Sequence, residues 1–326
     1  MNKVVIFKEA GEPKVLHLHE MPMPEPKAGQ VLVRQTRIGV NFIDVQMRKG
    51  TYPVHNFPCI PGFEACGVVE KLGKDVTGLR VGDRVAYATS PEPGAYQHYR
   101  AIDRKYLLNV PNNLEDKVVA ATLLKGLTAH YLLRRVFVVR KGHAVLIHAA
   151  AGALGQIMAR WANLEGALVI GTVGSDEKKH IAERAGCHFV VNYSQSHWHE
   201  QVLEFTKGIG VNAVYDSIGH DTFRHSLQCL MPAGIMVSFG YASGMVEHVS
   251  INMLRERSLF LTTPKLFDYT SQRAALVLAA DEVFDAIAKK IIVPHVHKVY
   301  HLSEAASAHA DLESRKVNGS LVLTTH

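Results

Sequence analysis

Residues 145–156 have the sequence V-L-I-H-A-A-A-G-A-L-G-Q and contain the most informative pattern in the chain. An apolar run leads through small residues into the helical pattern of residues 157–164. A strand, a tight turn and a helix in this order can hold the pyrophosphate of a dinucleotide, because the backbone N–H groups at the helix start point toward the negative charge. We therefore predict the first βα unit of a nucleotide-binding domain here.

The small residues of this run match the spacing G-x-G-x-x-G, with Ala150, Gly152 and Gly155 at the three glycine positions. Gly152 leaves no Cβ where the backbone approaches the phosphates, and Gly155 allows the helix to pack against the strand. Alanine at the first position fits if φ is not positive there, and an ordinary tight turn is the alternative interpretation. The predicted cofactor contacts in the turn are Ala151, Gly152, Ala153, Leu154 and Gly155.

The length and composition indicate a globular protein of two domains. The chain has 326 residues, of which 47% are hydrophobic and 20% are charged. It contains no run of about 18 apolar residues that would predict a membrane span. The N-terminal run M-N-K-V-V-I-F-K-E-A has charges on both sides of its apolar residues, so it predicts a strand and not a signal peptide. The cysteines, at 59, 66, 187 and 229, form no C-x-x-C pair, and we therefore expect a cytoplasmic protein without disulfides.

The formal net charge of +6 is compatible with a nucleic-acid partner or with an anionic cofactor. The basic residues are spread along the chain apart from short clusters, such as Arg134, Arg135, Arg140 and Lys141. A solvated face explains such a cluster without any partner. We therefore expect neither a nucleic-acid partner nor a membrane association.

The hydrophobic pattern changes along the chain. Short runs separated by glycine-containing turns predict strands at 4–7, 30–40, 66–72, 83–88 and 95–102. From residue 123, apolar strands alternate with stretches of helix length, which is typical of a doubly wound parallel sheet. These strands are expected at 144–148, 168–172, 189–192, 213–216 and 235–239, and the helices at 152–164, 176–185, 197–205 and 221–230.

The tail differs from the segment before it. It begins with an amphipathic helix at 271–290, and strand-like runs at 291–299 and 320–324 flank a short helix at 303–313. Because both ends of the chain are rich in strands, we expect the tail to rejoin the N-terminal domain. The fold class is therefore α/β, with one domain formed by 1–122 and 266–326 and a nucleotide-binding domain at 123–265.

The segment after the second strand of the parallel sheet indicates which dinucleotide binds. An NAD-dependent enzyme usually carries an acidic residue about 20 positions after the glycine pattern, where it accepts hydrogen bonds from the ribose 2′-OH. Gly174 and Ser175 occupy that place here. Lys178 or Lys179 can neutralise a 2′-phosphate. The opposing observation is D-E at 176–177, although acidic residues are also favoured at a helix start for local reasons. We predict NADPH as the cofactor.

Four further motifs carry a family resemblance: N-F-I-D at 41–44, P-G-F-E-A-C-G-V-V at 61–69, G-D-R-V at 82–85 and K-G-L-T at 125–128. Together with the glycine pattern, the chain resembles the quinone oxidoreductases, the zeta-crystallin-like branch of the medium-chain dehydrogenase/reductase superfamily, over essentially its whole length. The resemblance implies a GroES-like catalytic domain, a Rossmann NADPH-binding domain, and homodimers formed mainly through the Rossmann domains.

Departures from the zinc-dependent alcohol dehydrogenases of the same superfamily bear on the chemistry. Those enzymes hold catalytic zinc with a cysteine and a histidine, and Asn41 and Phe63 stand in these two places here. Neither a carboxamide nor a phenyl ring replaces a thiolate and an imidazole as a zinc ligand. The cysteine-rich lobe that holds structural zinc is replaced by S-P-E-P-G at 90–94. We expect no metal, and alcohol oxidation would then lack its Lewis acid.

The resemblance places Asn41 and Tyr52 beside the nicotinamide and the substrate, as the candidate catalytic residues. Asn41 can also bind the cofactor by hydrogen-bonding to its ribose or carboxamide, and Tyr52 can cover the ring or donate to the acceptor. Local alternatives are that Asn41 caps a helix over 42–48 and that Tyr52 is a packed aromatic residue. Asp44 is expected to be structural and to bond the nearby backbone.

Further cofactor contacts are implied by the resemblance. Thr128 resembles the threonine beside the nicotinamide, although a threonine early in a helix often bonds only the backbone. Tyr193 would pack beside the adenine and the 2′-phosphate. Arg315 would reach a phosphate from the tail, unless it is an ordinary surface arginine. The remaining contacts are expected at the carboxyl ends of the later strands, at Ser217, Phe239, Gly240, Thr263 and Pro264.

The resemblance thus implies a zinc-independent NADPH:quinone oxidoreductase, which reduces a quinone by hydride or electron transfer. The cofactor carries the chemistry, and the protein supplies orientation and a dry site. One alternative is an NADPH-dependent enone or alkenal reductase on the same scaffold, which needs a proton donor for carbon. Another is a crystallin-like or RNA-binding role without catalysis, which a basic groove with stacking aromatic residues would support.

Overall fold

The computed structural model describes residues 1–314 and 316–326. The chain forms two compact units: unit 1 consists of Met1–Lys125 and Thr270–His326, and unit 2 consists of Gly126–Tyr269. The predicted functional domains, 1–122 with 266–326 and 123–265, stay a prediction, because compactness alone does not define a functional domain.

The structure contains strands along the whole chain. They are β1 Asn2–Ile6, β2 His17–Met21, β3 Gln30–Val40, β4 Glu64–Leu72, β5 Arg84–Tyr87, β6 Tyr99–Asp103, β7 Leu108–Asn109, β8 Ala144–Ile147, β9 Leu168–Val173, β10 Phe189–Asn192, β11 Val211–Asp216, β12 Leu230–Ser238, β13 Phe260–Thr262, β14 Val296–His301 and β15 Ser320–Thr324.

The helices are concentrated in unit 2 and in the tail. They are α1 Phe42–Lys49, α2 Asp116–Tyr131, α3 Ala153–Leu164, α4 Lys179–Arg184, α5 Trp198–Phe205, α6 Phe223–Cys229, α7 Asn252–Arg255, α8 Leu266–Tyr269, α9 Arg273–Ala288 and α10 Ala305–Glu313. A π-helical turn, Leu132–Val136, follows α2, and a 3₁₀ turn, Asp176–Lys178, precedes α4. Among the described residues, no helix combines the length and the apolar character needed to cross a membrane.

Unit 1 is built on a seven-stranded sheet with the path β14-β15-β3-β4-β5-β7, in which β6 also pairs with β3. All of these pairs are antiparallel except β14 with β15, and β1 pairs with β2 in a separate ribbon. The long strand β3 pairs with β4, β6 and β15, so it forms the centre of the unit. Its apolar residues Val31, Leu32, Val33, Ile38 and Val40 are all buried in the core, as expected for a central strand.

Unit 2 contains six parallel strands in the order β10-β9-β8-β11-β12-β13. Counted from β8, the spatial order is 3-2-1-4-5-6, which is the order of the Rossmann fold. The predicted doubly wound parallel sheet is confirmed, and so is the α/β fold class. In such a sheet, ligands bind beyond the carboxyl ends of the strands, where β8 and β11 lead into helices on opposite faces.

The largest difference from the sequence-based expectation is α2, which was not predicted. Its central residues, from Val119 to Leu123, are all fully buried. A helix that is apolar on every side has no polar face, and periodicity therefore cannot distinguish it from a strand.

Strand boundaries also differ from the expectation. β2, β7 and β13 were not predicted, and β12 begins at Leu230, directly after α6, instead of near residue 235. The run M-P-A-G at 231–234 indicates a turn, but the strand continues through it with an irregular register and a positive φ of 59° at Ala233. β14 occupies Val296–His301 and not the predicted 291–299.

Candidate functional site

The glycine turn, residues 149–155, connects β8 to α3 in unit 2. Its backbone is fixed by two hydrogen bonds: the Ala150 N–H donates to the Thr172 carbonyl at 2.9 Å, and the Gly152 N–H donates to the Ala149 carbonyl at 2.8 Å. Gly152 is the N-cap of α3 and has an extended backbone. The first N–H groups of α3 therefore open toward the carboxyl edge of the sheet, where they can bind an anion.

The two glycines of the turn contribute differently. A Cβ on Gly155 would lie 2.3 Å from the Ala149 carbonyl oxygen, whereas a Cβ on Gly152 would lie 3.1 Å from the same atom. Gly155 is therefore required for packing, and Gly152 keeps the approach to the helix start open. The positive φ of the turn, 51°, falls on Ala149 and not on Ala150. Alanine at the first position of the pattern is thus compatible with the turn.

His148 lies directly before the turn and is buried. Its Nδ1 is 2.8 Å from Thr172 Oγ1, and its Nε2 is 2.8 Å from Ser226 Oγ. The Ser226 hydroxyl donates to the Thr222 carbonyl at 2.8 Å, so it accepts from the Nε2–H of the histidine. Burial lowers the pKa of His148. The neutral imidazole therefore connects β8, β9 and α6 and adds no charge beneath the turn.

The structure brings Gly174 and Tyr193 together at the ends of β9 and β10. A Cβ on Gly174 would lie 3.0 Å from the Tyr193 hydroxyl, and Ser194 Oγ donates to the Gly174 carbonyl at 2.9 Å. Ser175 follows as the N-cap of the Asp176–Lys178 turn, and Lys178 ends that turn half-buried. The residues predicted to contact a 2′-phosphate thus lie on one short loop and its neighbouring strand end.

The two acidic residues of this loop are engaged locally. Asp176 Oδ1 is 2.8 Å from Lys179 Nζ, and this hydrogen bond lowers the pKa of the carboxyl. The hydrogen bond from Ser175 likewise lowers the pKa of Glu177. Both acids lie in the first turn, where negative charge favours the helix start. Their positions are explained without a ribose partner.

The remaining predicted contacts of unit 2 lie at the carboxyl edge of its sheet. Ser217 directly follows β11, and a Cβ on Gly240 would lie 2.9 Å from the Ser217 carbonyl oxygen. The Phe239 N–H donates to the Asp216 carbonyl at 2.9 Å, which joins the ends of β11 and β12. Thr263 and Pro264 follow β13, which pairs in parallel with β12.

Thr128 is the thirteenth residue of the sixteen in α2, so the expectation that it lies early in a helix is wrong. That error follows from missing α2 in the sequence. Arg315 lies outside the described residues.

Asn41 is the N-cap residue of α1 in unit 1, and its carboxamide is bound by two charged side chains. Asn41 Nδ2 donates to Glu64 Oε2 at 2.8 Å, and Lys125 Nζ donates to Asn41 Oδ1 at 2.6 Å. The Asn41 backbone N–H donates to Asp44 Oδ2 at 2.9 Å. We call Asn41, Asp44, Glu64 and Lys125 the Asn41 cluster.

The Asn41 cluster is buried, and burial shifts its two acids in the same direction. Asp44 and Glu64 are fully buried. Desolvation raises the pKa of Asp44 to about 7, against hydrogen bonds from the Asn41 backbone and the Tyr96 hydroxyl. Desolvation also raises the pKa of Glu64, against the charge of Lys125 and the hydrogen bond from Asn41. The expected structural role of Asp44 agrees with its bond to the backbone.

Tyr52 and Phe63 lie next to each other in unit 1. Their ring centroids are 6.3 Å apart in an edge-to-face arrangement, and Tyr52 is half-buried. Phe63 directly precedes Glu64, so Tyr52 and Asn41 contact two consecutive residues. Among the described residues, no group of three or more His, Cys, Asp or Glu side chains is arranged to hold a metal ion.

Glu64 and Lys125 were not singled out from the sequence, although both stand in quoted motifs. The available signal was their charge. Glu64 lies in P-G-F-E-A-C-G-V-V and Lys125 follows the apolar run V-V-A-A-T-L-L. Charged residues inside apolar runs are rarely buried unless they are paired. The pairing itself could not be predicted, because the two residues are far apart in the sequence.

The chain is similar to several known proteins over nearly its whole length. The profile described as "Zinc-binding dehydrogenase" matches residues 153–273, and the profile described as "Alcohol dehydrogenase GroES-like domain" matches residues 27–112. The chain is 41% identical to a quinone oxidoreductase of Pseudomonas aeruginosa over 324 residues, which cover 99% of both chains.

Two further proteins are similarly close. A 2-haloacrylate reductase of Burkholderia is 42% identical over 98% of this chain and 97% of its own length. The crystal structure of Escherichia coli quinone oxidoreductase complexed with NADPH superposes with a TM-score of 0.96 at 39% identity, and the match covers 99% of this chain and 100% of that one.

Proposed function

The chain belongs to the quinone oxidoreductase family of the medium-chain dehydrogenases/reductases, and on this premise we propose that it is a zinc-independent NADPH:quinone oxidoreductase. The family is one of oxidoreductase enzymes. The proposal adds the cofactor, the class of acceptor and the absence of zinc chemistry for this chain.

The observation that carries the proposal is the set of side chains around Asn41. At the two positions where zinc-dependent relatives have thiolate and imidazole ligands, this chain has a carboxamide and a phenyl ring. The carboxamide oxygen accepts from the Lys125 ammonium, whose positive charge opposes binding of a cation at this oxygen.

The residues of unit 2 fit a dinucleotide that carries a 2′-phosphate. The start of α3 offers backbone N–H groups to the pyrophosphate, and Gly152 leaves the approach open. At the end of β9, Gly174 and Ser175 replace the acidic residue that would repel a phosphate, and Lys178 supplies positive charge nearby. NADPH, when bound, supplies the hydride that reduces the acceptor.

In this proposal Asn41 and Tyr52 orient the reacting groups. Asn41 presents a rigid amide donor to the cofactor or the acceptor, and Tyr52 covers the acceptor with its ring. A quinone needs little acid catalysis, because the charge of its reduced form is delocalised and water can supply the proton. Orientation of the reacting groups by a carboxamide and a phenol is sufficient for such a reaction.

Reduction of a conjugated carbon–carbon double bond is the second candidate. The observation that favours it is the 42% identity with a 2-haloacrylate reductase over nearly the whole chain. Such a reaction needs a proton on carbon, for which the Tyr52 hydroxyl is the candidate donor in unit 1. The acceptor therefore distinguishes the two functions.

The proposal also includes the setting in which the enzyme acts. We infer a homodimer formed mainly through the Rossmann domains and a cytoplasmic location, as the family resemblance and the scattered cysteines suggest. The four cysteines are all buried and unpaired, which is compatible with a reducing compartment.

The decisive experiment is NADPH oxidation by the purified, chelator-treated protein, with 1,4-benzoquinone, 9,10-phenanthrenequinone, an alkenal and 2-chloroacrylate as acceptors in parallel. Each assay is repeated with NADH, and metal content is measured on the same sample. Quinone turnover that prefers NADPH and occurs without stoichiometric zinc supports the proposal.

The other outcomes point elsewhere. Turnover of the alkenal or the haloacrylate without quinone turnover would move the enzyme to the second candidate. Loss of activity on chelation, restored by zinc, would contradict the proposed metal-free mechanism. Tight NADPH binding without turnover of any acceptor would favour a non-catalytic role.

A further inference from the structure

We propose that Glu64 and Lys125 are positioning residues, which hold the carboxamide of Asn41 in a single orientation and so make it a directed hydrogen-bond donor. The inference rests on the proposed function, because it assigns to Asn41 a ligand that is the cofactor or the acceptor. Neither Glu64 nor Lys125 needs to touch that ligand.

The orientation follows from the signs of the two charges. The carboxamide nitrogen donates to the Glu64 carboxylate at 2.8 Å, and the carboxamide oxygen accepts from the Lys125 ammonium at 2.6 Å. If the carboxamide turned by 180°, its NH₂ would face the ammonium and its oxygen would face the carboxylate. Both attractive contacts would become repulsive, so only one of the two orientations is stable.

The Glu64 carboxylate is itself held in place. Its Oε1 accepts from the Leu124 backbone N–H at 2.7 Å, and its Oε2 lies 3.8 Å from Lys125 Nζ. A Cβ on Gly39 would lie 2.3 Å from Oε2 of Glu64 and equally close to the Ala120 carbonyl oxygen. Because Gly39 in β3 has no side chain, there is space beside α2 for the Glu64 carboxylate.

The bound carboxamide keeps hydrogen-bonding capacity for a ligand. A carboxamide has two N–H donors and two acceptor lone pairs. Glu64 takes one of the two donors, and the carboxamide oxygen accepts from Lys125, which leaves the second N–H for a ligand. Asn41 is 5% exposed, so little of the group faces solvent. The second N–H therefore has a fixed direction before any ligand arrives, which is the condition for preorganised recognition.

Both charges are needed for this effect. Burial raises the pKa of Glu64, and the largest opposing influence is the charge of Lys125. Without the ammonium, Glu64 would become protonated more readily, and Asp44, the other buried acid nearby, would not compensate. A protonated carboxyl can donate to the carboxamide oxygen, so both orientations of Asn41 would become acceptable. Loss of Lys125 should therefore resemble loss of the Glu64 charge.

The test is a double-mutant cycle on the full-length protein. Glu64→Gln and Lys125→Met should each lower kcat/KM for NADPH-dependent quinone reduction about tenfold, because a directed charge-assisted bond is lost. Asn41→Ala should lower it at least as much, and Glu64→Gln added to Asn41→Ala should have no further effect. Lys125→Arg should retain part of the activity. The control is Glu70→Gln on the same strand, whose ion pair with Arg34 is exposed, and its kcat/KM should be unchanged.

A second readout does not depend on turnover. In the ¹⁵N spectrum of the ligand-free protein, the side-chain amide of Asn41 is identified by its disappearance in Asn41→Ala. We expect one of its two protons to be shifted and protected by the carboxylate, and this difference to vanish in Glu64→Gln. If quinone reduction itself is absent, the spectrum still tests the positioning. Additive losses in the double mutant, or an unchanged Asn41 amide signal in Glu64→Gln, would overturn the inference.

Discussion

The glycine turn of unit 2 and the Asn41 cluster of unit 1, the two proposed ligand sites, are organised by opposite means. The turn presents backbone N–H groups, and its specific residues matter because Gly152 and Gly155 lack side chains. The Asn41 cluster presents one carboxamide, which two buried charges orient. The first site is therefore sensitive to added atoms and the second to altered charge.

The two sites also differ in how their parts are connected along the chain. The turn is complete within residues 149–155, whereas Asn41 bonds to residues 23 and 84 positions away. A local pattern can be recognised without knowledge of the fold. A distant pair becomes visible only when β3, β4 and α2 have been placed beside each other.

The largest effect is expected where an added atom meets rigid backbone. Gly155→Ala should destabilise unit 2 by about 3 kcal/mol or more, because its Cβ would lie 2.3 Å from the Ala149 carbonyl oxygen. Gly152→Ala should change stability by less than about 1 kcal/mol, since the same oxygen is 3.1 Å away and the backbone is extended. Its NADPH affinity should nevertheless fall about tenfold or more, because the methyl group stands in the approach to α3.

Both tryptophans of the chain, Trp161 and Trp198, lie in unit 2, so their fluorescence in urea reports its unfolding. NADPH affinity is measured separately on the folded variants. Equal stability of the two variants would mean that Gly155 is not required for packing. Unchanged NADPH affinity in Gly152→Ala would remove the turn from the cofactor site.

The next prediction concerns the pH dependence of stability that two buried residues of unit 1 cause. Asp44 and His309 are buried and joined through Tyr96, whose hydroxyl lies 3.2 Å from Asp44 Oδ2 and 2.9 Å from His309 Nε2. Burial raises the pKa of Asp44 from 3.8 to about 7, and burial lowers the pKa of His309 from 6.5 to about 3. The two groups therefore affect stability in opposite directions.

The two pKa shifts stabilise the folded protein in different pH ranges. The raised pKa of Asp44 gives stability at low pH that is lost as the pH rises through about 7. The lowered pKa of His309 gives stability above pH 6.5 that is lost as the pH falls toward about 3. Between roughly pH 4 and 6.5 the two slopes oppose each other.

In Asp44→Asn, the pH dependence of stability that His309 causes is no longer opposed by Asp44. Relative to the unaltered protein, the free energy of unfolding of this variant should therefore rise by about 2 to 3 kcal/mol between pH 4.5 and 6.5. In His309→Gln only the opposite pH dependence of Asp44 remains, so the free energy of unfolding should fall by a similar amount over the same pH range. Urea unfolding followed by circular dichroism at several pH values measures both. Parallel pH profiles for the two variants would contradict the opposing pair.

The sequence predicted the parts of the fold that depend on local patterns. The alternation of apolar strands and helices predicted the parallel sheet of unit 2, and the spacing of Ala150, Gly152 and Gly155 predicted a turn that the structure contains. α2 escaped prediction because its buried residues have no polar face. Glu64 and Lys125 were not predicted, because only the folded structure shows that each buried charge lies next to its partner.

The smallest effect concerns the loop after β9 and separates two neighbouring lysines. Lys178→Met should weaken NADPH binding about fivefold and leave NADH binding unchanged, because only NADPH carries the 2′-phosphate that this charge would neutralise. Lys179→Met is the matched control, because it removes the same charge one position further along the chain, and its NADPH affinity should change less. Dissociation constants for both nucleotides, measured by fluorescence at low and at moderate salt, give the comparison.

The NADPH-specific loss should shrink as salt screens the charge. Equal losses for both nucleotides would remove Lys178 from the phosphate site. In that case Gly174, Ser175 and Tyr193 would have to select the nucleotide through shape and hydrogen bonding. The loop would then be sensitive to added atoms, as the glycine turn is, and not to altered charge, as the Asn41 cluster is.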